Sequence, residues 1–195
     1  MNLTNSFIKI AESEMAPILK QMGAKLTKKT PTEISFSFSK LELSFYLERE
    51  FEVYGVISSE ELKQSVYLSE VMSDYFNTDE KAVYQISESF SLELCMRKFV
   101  GIVTTKILPL IEEGKIYEAM NTVMLKRKEN LRKYNESLIE KEAEKAFKEK
   151  RYEDVISYYS QMSELSDVQK KRLEISNNKI KIIICIVLYL GFRIT

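Results

Sequence analysis

The sequence predicts an α+β protein in which an N-terminal helix packs on a three-stranded antiparallel meander, followed by a mostly α-helical extension. Three observations carry this. Apolar positions recur near a 3.6-residue period over residues 6–22, switch to a period of two over residues 34–57, and return to helical spacing from Glu60 onward. The 195 residues, 45% of them apolar, suffice for a core, because chains of this length bury roughly 70% of their unfolded surface. Five Gly and three Pro leave long stretches uninterrupted, unlike a disordered or fibrous composition.

The first helix places Phe7, Ile10, Met15, Ile18, Leu19 and Met22 on one side, with Gly23 where a C-terminal cap belongs. Pro17 removes one backbone donor, which predicts a kink or a helix restart there. Lys28-Lys29-Thr30-Pro31 reads as punctuation. Beyond it Ile34, Phe36 and Phe38 alternate with serines. A turn at Ser39-Lys40 leads into Leu41, Leu43, Phe45 and Leu47, and a second turn at Glu48-Arg49-Glu50 leads into Phe51, Val53, Gly55 and Ile57. Short connections make this an antiparallel meander. Its serines and glutamates predict one wet face, with the helix covering the other.

From Glu60 the pattern is helical. Leu68, Val71, Met72, Tyr75 and Phe76 form a short stripe. A long segment from about residue 80 to residue 113 carries Ile86, Phe90, Leu94, Phe99, Val103, Ile107, Leu110 and Ile111, with Pro109 and Gly114 marking its end or a bend. Residues 115–134 continue as a helix with Ile116, Met120, Val123 and Leu131 inward and Lys126-Arg127-Lys128 outward. Over residues 138–177 Glu and Lys interleave, and Glu140, Glu144 and Lys148 stand four apart. Ala143, Tyr152, Val155, Tyr159 and Met162 there are similar to the small and aromatic positions of one tetratricopeptide repeat. No second copy follows, so the segment reads as a helical hairpin closed near Lys150-Arg151. The expected division is an αβββ module with a short helix over residues 1–76, a helical region over 77–178 and an apolar tail over 179–195.

The tail contains an unbroken apolar run, residues 182–192, with Ile182 first and Phe192 last, flanked by Lys181 and Arg193. As a helix it measures about 16 Å, against a hydrocarbon core of roughly 30 Å. Its β-branched residues equally suit a buried strand. A strand, a membrane contact and a non-native C-terminus are the three readings of this run.

The chain contains no histidine. This excludes a histidine general base, a histidine-ligated zinc site and a Ser-His-Asp triad. Two cysteines, Cys95 and Cys185, provide neither a four-cysteine metal site nor a disulfide scaffold. Both lie in apolar sequence with no histidine to generate a thiolate. The glycines are isolated, so no phosphate-binding loop or dinucleotide fingerprint is present. No cofactor is expected. A charged, amphipathic opening without an apolar leader predicts a cytoplasmic, reducing setting.

One catalytic constellation survives this filter. Glu61-Leu62-Lys63 has the spacing used at some nuclease metal sites, with Glu52 or Glu48 as the second carboxylate. Basic clusters at Lys126-Arg127-Lys128, Arg132-Lys133, Lys150-Arg151 and Lys170-Lys171-Arg172 are interleaved with glutamates. That cancels the field a nucleic acid would need, and nucleic acid is not an expected partner. The net charge is zero, but residues 60–118 carry 6 basic and 11 acidic side chains, and residues 119–181 carry 15 and 11. Tyrosine suits interfaces, since one rigid side chain offers apolar area and a hydroxyl. Tyr134, Arg151 and Tyr158 in the charged helical half are the candidate interface residues.

The segment Leu47-Glu48-Arg49-Glu50-Phe51-Glu52-Val53-Tyr54 resembles a strand–turn–strand signature of small bacterial proteins, several of them similar to immunity proteins encoded beside toxins. The resemblance covers residues 1–70 at most and transfers no functional residue. The missing catalytic constellation and the Tyr-rich, charge-balanced helical extension predict a non-enzymatic, protein-binding module of a bacterial cytoplasm, and the resemblance implies an immunity, antitoxin or phage-defence role. The expected partner is another protein, such as a toxin or defence effector, or a second copy. The alternatives are a membrane-associated accessory protein held by residues 182–192 and a metal-dependent nuclease.

Overall fold

The computed structural model describes the backbone of residues 3–191, apart from positions 50, 81 and 88–90, and side chains over residues 6–186 with the same exceptions. The expected positions Glu50, Phe90, Phe192 and Arg193 lie outside the described residues. The chain forms an α+β fold of two compact units, Met1–Arg127 and Lys128–Thr195.

The first unit opens with α1 (Leu3–Gln21), which runs through Pro17 as one helix. Phe7, Ala11, Met15 and Leu19 are fully buried at intervals of one turn. Gly23, at φ +81°, ends the helix in a Schellman motif: its N–H donates to Lys20 O at 3.0 Å, and Ala24 N–H donates to Leu19 O at 3.0 Å.

Six strands follow: β1 (Lys25–Thr30), β2 (Glu33–Phe38), β3 (Leu41–Glu48), β4 (Glu52–Ser59), β5 (Gln64–Tyr67) and, later, β6 (Val83–Gln85). The first five pair in chain order, each antiparallel to the next. The outer edge of β4 is shared by β5 at Val56–Ser59 and β6 at Glu52–Tyr54. The expected meander is β2–β3–β4, and the sheet is wider than expected. β1, Lys-Leu-Thr-Lys-Lys-Thr, lies almost wholly in solvent, so backbone pairing with β2 and not burial makes it a strand. Its lysines also discourage pairing with another chain at that edge. β5 and β6 are too short to display a period.

Register stacks the apolar face. Ile34 opposes Phe45, Phe36 opposes Leu43, and Leu43 opposes Ile57, all buried. On the opposite face the expectation of a wet surface fails locally, because Ser35 and Ser44 are buried. They face each other across β2 and β3, and Ser44 Oγ lies 2.8 Å from Ser35 Oγ, which in turn reaches Glu33 Oε1 at 3.2 Å. The two hydroxyls satisfy each other, so burial leaves neither without a partner.

After β5 comes α2 (Leu68–Glu70), which runs into a π-helical turn, Val71–Tyr75. The long helix expected from residue 80 begins only at Leu92, because Val83–Gln85 bonds to the edge of β4. α3 (Leu92–Ile102) is capped by Ser91, whose Oγ accepts from Leu94 N–H at 3.3 Å. Its buried positions are Leu92, Cys95, Met96, Phe99 and Ile102. Leu94, expected inward, is exposed. Phe99 meets Phe45 edge-on with ring centres 5.4 Å apart, which seats α3 on the sheet. A second π-helical turn (Val103–Ile107), α4 (Leu108–Glu112) and Gly114 at φ +69° lead into the 33-residue α5 (Ile116–Lys148). Ile116, Ala119, Met120 and Val123 join the same core as Phe7 and Phe36. The first unit therefore extends to Arg127, not to residue 76, because the sheet's apolar face needs these helices as cover.

The second unit contains the rest of α5, α6 (Tyr152–Tyr159) and α7 (Asp167–Gly191). The hairpin closes at Lys150-Arg151 as expected. Lys150 has φ +62°, Lys150 N–H donates to Phe147 O at 3.1 Å, and Arg151 N–H donates to Ala146 O at 2.9 Å. Ala143, Ala146, Val155 and Tyr159 form a small core with Phe147, Tyr158, Met162, Leu165 and Leu173 around it. Arg172 of α7 holds it from the side, reaching Glu140 Oε1 at 2.8 Å and the Tyr159 hydroxyl at 3.4 Å. Within the described residues the apolar run is helical throughout, as part of α7, so it adds no strand to the sheet.

Candidate functional site

The carboxylates of the nuclease constellation are not brought together. Glu52 begins β4, while Glu61 lies past its other end, and at about 3.3 Å per residue roughly 23 Å of strand separates those ends. Glu61 pairs with Lys40 at 3.3 Å. Lys63 sits in the β4–β5 turn at φ +51°. Among the described residues no three His, Cys, Asp or Glu side chains converge in a group able to hold a metal ion.

Lys63 instead borders a polar groove of 500 Å³ at that end of the sheet, with Ser37, Ser39, Lys40, Glu42 and Ser58 among its lining. Hydroxyls and charged side chains share its walls, and some of them bond to one another. Thr27 Oγ1 donates to Glu42 Oε2 at 3.0 Å, and Ser58 lies 2.9 Å from Ser65. Gln64 Oε1, also in this lining, is buried without a hydrogen-bond partner.

Farther across the same face three tyrosines form a ladder over β3, β4 and β5. Tyr46 stacks on Tyr54 with ring centres 5.2 Å apart, and Tyr54 meets Tyr67 edge-on at 5.6 Å. Partial burial raises the phenols of Tyr46 and Tyr54 above their ordinary value. At the Tyr46 end Lys28 Nζ lies 2.6 Å from Glu33 Oε2. Burial works to raise the Glu33 carboxyl, but hydrogen bonds with Lys28 and Tyr46 outweigh it and hold the group below the usual range. The neighbouring groups are already satisfied, and the ladder braces a sheet face.

In the second unit the expected interface residues fall in three different settings. Arg151 stands at the start of α6 and is engaged by its neighbours, with Nε 2.9 Å from Glu149 Oε2 and a second bond from Nη1 to Asp154. It also lines a groove of 370 Å³ with Tyr152, Ile180, Ile183 and Ile184. Tyr158 does not point away from the unit's interior, since it is half-buried against the small core. Tyr134 is the exposed tyrosine of the set, at 62%.

Tyr134 has two companions that its own identity does not reveal. Leu131 and Leu138 are exposed by 60% and 43% on the same helix. Spacings of three and seven residues place Leu131, Tyr134 and Leu138 within about 60° of one another around α5. Ala143, on the core side, lies roughly opposite. The spacing was visible in the sequence, but an apolar row on a helix normally reads as core, and Leu131 was accordingly expected inward. In contrast, the charges around this row are tied down. Arg132 binds Glu129 and Glu136, and Glu136 accepts from Ser163 Oγ at 2.7 Å. Arg132 and Lys133 hold the Glu129 carboxyl down at about 2. Lys141 and Lys145 lie one to two turns farther along the same side, exposed.

No family model, no curated protein and no solved structure matches this chain.

Proposed function

We propose that this chain is a protein-binding module without catalytic chemistry of its own, whose partner docks on α5 around Tyr134. The observation that carries this reading is the exposed row of Leu131, Tyr134 and Leu138 among the charged residues of the middle of α5. Anchors at i, i+3 and i+7 are the pattern by which one helix seats in an apolar groove of another protein. Tyrosine at the centre adds rigid contact area and a hydroxyl that finds a partner when desolvated. Lys141 and Lys145 extend the row with positive charge, so the complementary groove has an acidic rim. A toxin or a defence effector is the partner class that the N-terminal resemblance implies.

The test places a photo-crosslinking benzoyl-phenylalanine at position 134 and illuminates the full chain in lysate of its source cells. A single discrete adduct that disappears in a Leu131→Asp, Leu138→Asp background is the expected result. No adduct, or one indifferent to those two substitutions, overturns the reading.

A further inference from the structure

The C-terminal half of α7 shows an exposure pattern that a groove-shaped protein partner does not explain. Ile182, Ile183, Ile184 and Ile186 are exposed by 53%, 52%, 52% and 52%. At about 100° per residue, three consecutive positions span more than half the helix circumference, and Ile186 returns close to the direction of Ile182. The apolar surface thus wraps the helix instead of forming a stripe, which is the arrangement of a helix surrounded by apolar material. The second unit covers only one edge of it, where Ile180, Ile183 and Ile184 border the groove beside Arg151. A groove on a partner would dry one side and leave the other in water. A lipid phase would cover all sides.

Charge and length narrow the occupant further. On α7, Lys170 pairs with Asp167, and Arg172 pairs with Glu140 and Glu144. Lys171, Lys179 and Lys181 form no ion pair among the described residues. Lys179 and Lys181 stand at the entrance to the apolar run, and in the sequence Arg193 follows it. Lysine ammonium groups there can reach lipid phosphates while their apolar stems lie along the run. The run is about 16 Å long as a helix, far short of the roughly 30 Å hydrocarbon core. None of the described helices is long and apolar enough to cross a membrane.

We propose that α7 from Lys179 onward embeds in one leaflet of an anionic lipid membrane without crossing it, its lysines held at the headgroups. The isoleucines supply the apolar area, and Lys179 and Lys181 select negatively charged headgroups. This inference is independent of the docking surface at Tyr134, which lies on a different helix.

The experiment is co-sedimentation of the full chain with phosphatidylcholine vesicles, with and without phosphatidylserine. The expected result is partition onto the anionic vesicles, weakened about tenfold or more in an I182S/I183S/I186S variant. K179Q/K181Q, or raised salt, weakens it several-fold. All three isoleucines are more than half exposed, so the serine variant keeps the wild-type circular dichroism and melting curve. A wild-type chain that stays in the supernatant with both vesicles overturns the proposal, as does binding that the serine variant retains. A dimer in sedimentation velocity that the serine variant loses, without lipid binding, overturns it in favour of a second copy. Leu131→Asp leaves vesicle binding unchanged, which separates this result from the reading at Tyr134.

Discussion

The guanidinium of Arg127 grips both carboxylate oxygens of Glu70. Nε donates to Oε1 at 2.7 Å, Nη2 donates to Oε2, and Nη1 turns to the Ser65 carbonyl at 3.0 Å. Glu70 Oε2 also accepts the Tyr67 N–H at 2.9 Å. One forked pair thereby joins the first part of α5 to the junction of β5 and α2. Beside it Lys126 reaches Asp74 at 3.4 Å. Two members of the basic cluster expected to face outward are also matched to acidic side chains of residues 60–118.

Because that pair is bidentate and only partly exposed, Arg127→Ala is expected to destabilise the first unit by about 1–3 kcal/mol. Arg127→Lys recovers less than half of the loss, since an ammonium lacks the planar fork. Urea unfolding of the three proteins, compared at equal m-value, measures both effects.

Gly55 lies where β4 passes beneath Leu68. A Cβ there meets Leu68 Cγ at 3.0 Å and Phe45 Cε1 at 3.3 Å, with Leu68 Cδ1 closer still. Leu68 and Phe45 are fully buried and have little room to yield. Gly55→Ala should therefore cost about 1–3 kcal/mol by overpacking. In a Leu68→Ala background the same substitution should cost markedly less, and the coupling in a double-mutant cycle reports the clash directly.

Lys150 adopts the left-handed conformation at the end of α5, φ +62°, in a position that ordinarily takes glycine. Lys150→Gly is expected to stabilise the hairpin of the second unit by about 0.5–1 kcal/mol. A rise in the thermal midpoint of helical circular dichroism tests this, and a fall would contradict it.

Stability should decline in alkaline solution through one buried and one partly buried group. Burial pushes the Cys95 thiol from 9.0 up to about 11, and burial pushes the Tyr84 phenol from 10.0 up to about 12. The unfolded chain loses these protons at lower pH than the folded one. Their contribution is complete below pH 9.0 and disappears as pH rises through about 11 and about 12. Denaturant midpoints across this range measure the decline, and Cys95→Ala removes its lower part. In the folded protein a thiol reagent should modify the exposed Cys185 quickly and the buried Cys95 only on unfolding.

The proposed docking row makes a separate demand. Leu131→Ala and Tyr134→Ala remove exposed side chains, so each should change stability by no more than about 0.5 kcal/mol. In the chain that carries the photo-label at position 134, Leu131→Ala should abolish the adduct expected from that face. Loss of binding accompanied by loss of stability would mean that the row is structural.

Local sequence specifies the elements whose side chains repeat against one neighbour. α1, the β2–β3–β4 meander and the glycine stop at Gly23 follow from local periodicity and capping, and the turn at Lys150 from the likeness to one tetratricopeptide repeat. The sequence also excludes chemistry, since a chain without histidine lacks whole classes of site wherever its helices lie. Tertiary structure decided what depends on a partner elsewhere in the chain. β1, β5 and β6 are strands because their backbones bond to β2 and β4, and no apolar alternation announces them. Ser35 and Ser44 are buried because each supplies the other's hydrogen bond. Glu52 and Glu61, close in sequence, are held apart by the length of β4. Leu131 and Leu138 have the spacing of core residues and nevertheless face solvent beside Tyr134. Periodicity records which residues share a side of a helix or strand, and only packing determines whether that side is covered.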